Sequence, residues 1–391
     1  MRLGVVGGGQ LARMMAPSSQ ELSVNMRILV EELGSSAEQV FSDCVLGDYN
    51  DINTLRMLAY GLNHKSVKKV DALTFEHEFM PNRLIKQIED EGFRVAPSSK
   101  ALFFAQDKIA MRKKMDSISQ VNANIRNPKY EVVQNQKQLQ QFFDYNQFRE
   151  VAVKAPSGGY DGKGVEFIDS ANSDKAHEWL KNFDQILVEE RVSFVCEVSA
   201  LVARSESEIV AYDVVESIQE NGVCRTVIAP APKLNEAQRQ TAQEIAKTIA
   251  DELDVQGILA VEMFFDGEGF LINELAMRPH NTGHWSINGA VTSQFENHIR
   301  AVLGLPLGST RMLSKCVVMR NILGSEYEDM STVLDAALKV DKEAKINLYG
   351  KATRAGRKLG HVNIIGEDFE KLTQTAQKIV EILEGVDYTS E

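Results

Sequence analysis

The chain of 391 residues is poor in cysteine, tryptophan and proline, with 4, 2 and 9 of them. Cys44, Cys196, Cys224 and Cys316 are scattered and form no C-x-x-C pair, which argues against a disulfide framework or a zinc site and for free thiols. No apolar run approaches the ~18 residues needed to cross a bilayer. The opening MRLGVVGGG reads as a strand and a turn, not as the basic head and apolar core of a signal peptide. Positive charge is also in deficit, with 43 Lys and Arg against 55 Asp and Glu, a net charge of −12. That excludes a dedicated nucleic-acid binder, whose phosphate contacts need a basic face. The expectation is a cytoplasmic protein that uses neither nucleic acid nor membrane as a partner.

What is present is an ordinary globular composition, 43% hydrophobic and 25% charged. The length implies two or three lobes with large cores. Residues 1–100 alternate strand and helix: strands at Arg2–Val6, Arg27–Val30, Val70–Phe75 and Arg94–Ala96, a helix from Gln10 to Pro17 and another over Leu84–Glu91. Alternation of this kind predicts a parallel sheet. A charged helix near Gln106–Met115 opens a second region, with strands at Tyr130–Val133, Val151–Lys154, Val165–Ile168 and Ile186–Glu190. An antiparallel run follows over Cys196–Ala229, then a long helix to about Leu253 whose apolar residues fall at helical spacing. Gly257–Glu274 reads as a hairpin turning at Asp266-Gly267-Glu268-Gly269. A helix over Gln294–Leu303 comes next, and the tail from about Leu313 mixes short strands with a final helix near Glu370–Glu384.

Six constellations carry candidate chemistry. Gly7-Gly8-Gly9-Gln10-Leu11-Ala12 satisfies G-x-G-x-x-G/A between a strand and a helix, with Glu31 or Glu32 placed as a ribose-binding acid would be. NAD, another anionic ligand and a plain tight turn stand as comparable readings of it. Lys154 to Val165 packs four glycines into seven residues between two strands. A Walker loop would be followed by a helix, so a glycine flap over a nucleotide triphosphate is favoured, with Lys154 and Lys163 supplying charge. The strand end Glu189-Glu190-Arg191-Val192, with Glu197 beyond it, has groups suited to an adenine edge and ribose hydroxyls, although alone it is only a charged strand end. Glu262 and Asn273-Glu274 lie in an apolar hairpin, and two carboxylates there are hard oxygen donors suited to Mg²⁺. A regular turn would pair position 262 with 273. Glu262 and Glu274 share a face only if a one-residue bulge intervenes. Arg278-Pro279-His280-Asn281-Thr282-Gly283-His284-Trp285 reads as a polar loop able to hold a small anion. Tyr349 to Lys358 is a local basic cluster matched to a phosphate monoester, against the plain alternative of a solvated basic turn.

Taken together, the lysine, glycine flap, strand-end glutamates and acid hairpin resemble the ATP-grasp superfamily. The segments GGGQL at 7–11, TFEHEF at 74–79, GYDGKG at 159–164, NELAMRPHNTGHW at 273–285 and YGKATRAGRKLGHVN at 349–363 resemble, in order and spacing, the N5-carboxyaminoimidazole ribonucleotide synthetase family over nearly the whole chain. The resemblance implies an α/β (α+β) fold: a Rossmann-like parallel-sheet domain at 1–105, an ATP-grasp domain at 106–310 and a small β-rich domain at 311–391. The flap lobe would occupy about 115–190 and the catalytic lobe about 191–310. It implies an ATP-dependent ligase that joins bicarbonate, through carboxyphosphate, to 5-aminoimidazole ribonucleotide in purine biosynthesis, and a homodimer.

By the same resemblance, ATP is held by Lys108, Lys154, Gly159, Tyr160, Asp161, Gly162, Lys163, Gly164, Val165, Glu189, Glu190, Arg191, Val192, Glu197, Asn273 and Glu274, and Mg²⁺ by Glu262 and Glu274. Arg278, His280, Asn281 and His284 would hold bicarbonate, with Asp161 counted among the catalytic groups. Gln10, Glu76, Tyr160 and Asp161 would contact the aminoimidazole nucleotide, and Lys351, Arg357 and Lys358 its phosphate. The chain departs from the family pattern at Lys108, where arginine is common, at Gln219, where histidine is common, and at Glu31-Glu32 in place of Asp-Pro. Three rivals remain: the sister enzyme that uses formate on glycinamide ribonucleotide, disfavoured by Gln10 and the PHNTGHW loop; an NAD-dependent dehydrogenase, which leaves the flap and acid hairpin without a role; and a catalytically dead ATP-grasp scaffold that only binds a partner, against which intact Lys154, Glu262 and Glu274 speak.

Overall fold

A computed structural model describes residues 1–61, 68–147, 150–158 and 164–385. The first hundred residues form a four-stranded parallel sheet ordered Cys44–Leu46, Asn25–Val30, Arg2–Val6, Ala72–Phe75. Arg2–Val6, Asn25–Val30 and Ala72–Phe75 are buried along nearly their whole length, as a parallel sheet covered by helices requires, while the edge strand leaves Leu46 exposed. The strand anticipated at Arg94–Ala96 is reduced to a single parallel bridge between Leu73 and Val95. Pro17 does not end a helix. The chain forms Gln10–Met14 and then restarts as Ala16–Glu21 with the proline in its first turn, where its missing N–H has no partner to lose.

A second, all-antiparallel sheet is ordered Tyr130–Val133, Ile186–Glu190, Val151–Lys154, Val165–Ile168. With the helices Gln136–Asn146 and Asp174–Asn182 it closes its own core around Leu139, Val153 and Val188. The flap therefore springs from a lobe with a separate hydrophobic centre. Its two arms pair Lys154 with Val165, and the Ala155 N–H donates to the Gly164 carbonyl at 3.0 Å.

The third sheet has nine strands and runs without a break from Phe270–Ala276 through Gly257–Phe265, Cys196–Arg204, Val215–Glu220, Val223–Ala229, Cys316–Leu323 and Lys358–Gly366 to Lys345–Leu348. Ile209–Ala211 pairs separately with Cys196–Arg204. The sheet thus passes from the central region into the C-terminal one by the pairing of Val223–Ala229 with Cys316–Leu323. The long helix Glu236–Glu252 starts at a capping box between Asn235 and Gln238. It buries Ala242, Ile245, Ala246, Ile249 and Ala250, the stripe that the helical period predicts. No helix among the described residues is long and apolar enough to cross a membrane.

Candidate active site

The acid hairpin contains the bulge. Glu262 pairs directly with Glu274 and Met263 with Ile272, which leaves Asn273 as the extra residue on its strand. Directly opposed residues of an antiparallel pair point to the same face, so the two carboxylates stand side by side. Desolvation first, and then the charges of Glu274 and Glu197, push the Glu262 carboxyl up to about 8. Two hard oxygen donors that repel each other in this way fit a divalent cation, with the rest of its shell left for phosphate oxygens.

Lys108 is the first residue of the helix Lys108–Ile118, which Asp107 caps through the Ala110 N–H. Its ammonium lies 3.5 Å from a Glu274 carboxylate oxygen and 3.3 Å from the Gly158 carbonyl. Lys154 is buried at the end of its strand, 2.8 Å from Glu189 and 3.2 Å from the Asn273 side-chain oxygen. Glu189 also receives the fully buried Arg112 at 2.5 Å. Burial alone would raise the Glu189 carboxyl, but Arg112 and Lys154 outweigh it and bring the group to about 2. Its carboxylate is therefore committed to the protein, and its main chain lies in the sheet between Tyr130 and Ala152.

The next two residues turn their side chains away as well. Glu190 accepts from the Lys129 N–H at 2.8 Å, and exposed Arg191 pairs with Glu150 and lies over the Phe167 ring. The Glu190 main-chain N–H donates to the Lys129 carbonyl at 2.9 Å as well. Val192 follows on a half-buried stretch, and Glu197, lifted by desolvation, is bonded by the Gln219 side chain. Gly164 and Val165 form the returning arm of the flap, whereas Gly159, Tyr160, Asp161, Gly162 and Lys163 lie outside the described residues.

Behind the hairpin, Arg278 pairs with Glu78 at 3.3 Å, and Glu78 also accepts from the Met277 N–H. His280 lies with its Nε2 3.5 Å from Glu262. Desolvation, then the nearby cations Arg278 and Lys358, hold its pKa well below the ordinary histidine value, so the ring is neutral near pH 7. Gln294 clamps the loop by bonding the His280 N–H, its carbonyl and the His284 ring. His284 itself is buried, its ring against His361 and Phe295. Asn281 starts the short turn Asn281–Gly283 beside it.

The glycine turn after the first strand is already filled. The Glu76 carboxylate accepts from the N–H groups of Gly9 at 2.5 Å and Ala12 at 3.2 Å. A side chain at Gly7 or Gly9 would collide with Glu76. The helix N-terminus that would bind a dinucleotide pyrophosphate is thus occupied by an internal carboxylate, and Glu31 and Glu32 are exposed beyond it. The NAD reading fails on this contact. On the same helix Gln10 accepts from the Lys351 ammonium, from the far end of the chain. Arg357 donates to the Ala352 carbonyl and orders the same basic loop, while the charge of Lys358 is felt at His280 and Glu262.

Residues from all three regions of the chain therefore meet at one place. A family profile described as the ribonucleotide synthetase preATP-grasp domain matches residues 1–106, one for the ATP-grasp domain matches 119–295, and one for the phosphoribosylaminoimidazole carboxylase C-terminal domain matches 317–375. The chain is 42% identical over 382 residues to the N5-carboxyaminoimidazole ribonucleotide synthase of Mycobacterium tuberculosis strain H37Rv, covering 96% of this chain and 86% of that protein. The chain belongs to the N5-carboxyaminoimidazole ribonucleotide synthase family. As a member of it, the protein is an ATP-dependent ligase of the ATP-grasp superfamily. Among solved structures, an ADP complex of an N5-carboxyaminoimidazole ribonucleotide synthetase superposes with a TM-score of 0.86 at 34% identity, covering 98% of this chain and 97% of that one. The synthase of Aspergillus clavatus in complex with ADP and 5-aminoimidazole ribonucleotide gives 0.84 at 26% identity, with 98% and 99% covered.

Three residues at this site escape a reading of sequence alone. Arg112 is legible only as a second cation one helical turn after Lys108. Glu78 repeats the acid of Glu76 two residues on. Gln294 carries no local signal.

Proposed function

We propose that this protein carboxylates the exocyclic amine of 5-aminoimidazole ribonucleotide, using ATP and bicarbonate, within purine biosynthesis. The observation that carries the reading is the meeting of Gln10 with Lys351, from a basic segment whose Lys358 is felt at the cross-strand Glu262/Glu274 pair. One face offers amide and cationic groups to a nucleotide phosphate, and the other offers carboxylates that suit Mg²⁺ and ATP. The complex of the Aspergillus clavatus relative with ADP and 5-aminoimidazole ribonucleotide supports the same pair of ligands here.

In this reading Arg278 and neutral His280 hold bicarbonate, with Asn281 and His284 shaping the loop. A bicarbonate oxygen attacks the γ-phosphorus of ATP, the bond to ADP breaks, and carboxyphosphate forms. The amine then attacks its carboxyl carbon, phosphate leaves, and the amine gives up a proton, with Asp161 among the catalytic groups. Lys108 and Lys154 neutralise charge on the phosphoryl group. Mg²⁺ bound at Glu262 and Glu274 would supply further neutralisation of the phosphate oxygens. Tyr160 and Gln10 contact the aminoimidazole nucleotide beside the glycine turn that Glu76 holds, while Lys351, Arg357 and Lys358 take its phosphate. The assembly is a homodimer in the cytoplasm, which sizing by light scattering tests for the oligomer.

ADP release measured with ATP and Mg²⁺, with aminoimidazole ribonucleotide and bicarbonate each present or omitted, tests the reaction. Release that requires the aminoimidazole nucleotide supports it. Release driven by glycinamide ribonucleotide plus formate would move the assignment to the sister enzyme.

A further inference from the structure

Arg112 is fully buried, yet its guanidinium makes four polar contacts. Its Nε meets Glu189 at 2.5 Å, and its two terminal nitrogens donate to the carbonyls of Ile272 at 2.7 Å and Asn273 at 3.0 Å. A weaker bond reaches the Asn127 side chain at 3.3 Å. The two carbonyls flank the bulge that turns Glu274 onto the face of Glu262. The carboxylate it holds is the one that also binds Lys154. One planar fork therefore joins three elements: the helix that begins with Lys108, the strand end at Glu189, and the bulged acid strand.

We propose that Arg112 is a positioning residue for the nucleotide triphosphate, acting through Lys154 and through the Asn273 bulge. The proposal rests on the reading of this site as the ATP site. Two cations share one carboxylate here, so Glu189 does not fully neutralise Lys154, and a positive charge is left in a desolvated place for a phosphate to meet. Without Arg112, Lys154 and Glu189 would form a closed neutral pair, and the carbonyls at the bulge would lose their donors. A buried salt bridge adds little stability by itself, and its replacement by apolar groups is often neutral. The cluster is therefore better explained by placement of Lys154 and Glu274 than by holding the fold.

The test is calorimetric affinity for Mg-ADP and steady-state ADP release, on the full chain, for Arg112→Met, Arg112→Lys and the double variant Arg112→Met/Glu189→Met. Arg112→Met is expected to weaken Mg-ADP binding and raise the KM for ATP by about tenfold or more, with the KM for the aminoimidazole nucleotide unchanged. Arg112→Lys is expected to recover part of this loss, because it restores the charge without the fork. The double variant leaves buried Lys154 without its carboxylate, so it is expected to melt below the parent and not to regain its nucleotide affinity. Unchanged Mg-ADP affinity in Arg112→Met, or its return together with stability in the double variant, would overturn the proposal. An unmutated protein that binds Mg-ADP but releases no ADP in any mixture would instead overturn the carboxylation reading and leave the Arg112 comparison to be decided by affinity.

Discussion

At the scale of single residues, the site is organised by pairs in which one member is spoken for. Glu76 spends its carboxylate on the glycine turn, and Glu189 spends its own on Arg112 and Lys154. Glu274 differs, since its side chain is 44% exposed and its nearest cation, Lys108, stands at 3.5 Å. It is the acid still open to an added ligand. Glu274→Ala is expected to lower turnover by about a hundredfold or more, without a comparable fall in melting temperature, because no buried partner is orphaned. Full retained activity in an ADP-release assay would remove Glu274 from the metal role. The residue types of these acids are plain in the sequence. Their partners are not, because Arg112 and Glu189 are 77 positions apart.

Among the elements, the acid hairpin matters most. Its alternation of apolar residues locates the two strands, and its two glycines locate the turn, but strand period alone sets Glu262 and Glu274 on opposite faces. One inserted residue, Asn273, brings them together. Deletion of Asn273 is expected to close the bulge with Glu274 still opposite Glu262, but to remove the side chain that meets Lys154 and the carbonyl that meets Arg112. Circular dichroism should stay close to that of the parent while ADP release is lost; activity that survives the deletion would show that the bulge is dispensable. The helix Lys108–Ile118 follows the same logic in simpler form, since one turn of helix aims both Lys108 and Arg112 at the nucleotide side of the hairpin.

On the scale of the whole molecule, the two ends of the chain close the site together. Ser36 donates to the Tyr349 carbonyl at 2.5 Å and Gln39 to the Gly350 carbonyl at 2.7 Å, fixing the loop that carries Lys351. Gly350 has φ +63 and lies against the Gln39 side chain. Gly350→Ala should therefore strain the backbone by about 1–2 kcal/mol and displace Lys351, raising the KM for the aminoimidazole nucleotide several-fold while leaving that for ATP unchanged. A matching rise in both constants would show a general loosening instead. A second long-range tie is the fully buried His298, whose Nδ1 accepts from the Ile258 N–H at 3.1 Å and whose Nε2 meets the Thr74 hydroxyl at 2.8 Å. It joins the parallel sheet to the nine-stranded one. Burial lowers its pKa from 6.5 to about 3, so the unfolded chain takes up a proton that the folded chain refuses. The stability it contributes is present above about pH 6.5 and is lost progressively as pH falls toward 3. Melting temperature should thus decline between pH 7 and 5, and less steeply in His298→Asn; equal slopes would clear His298 of this role.

The sequence by itself determined the alternating N-terminal half-domain, the flap between two strands, the acid hairpin and the basic tail loop, because each is a pattern of period and residue type within a few dozen positions. It also marked the residue that a bulge would have to bring round. Tertiary structure alone decided that the glycine turn is filled by Glu76 and so takes no dinucleotide, and that the side chains of Glu189, Glu190 and Arg191 serve the protein. It alone set Lys351 against Gln10. Those outcomes depend on contacts between segments separated by tens to hundreds of residues, where a side chain's partner is chosen by the packing of sheets and no local spacing records the choice.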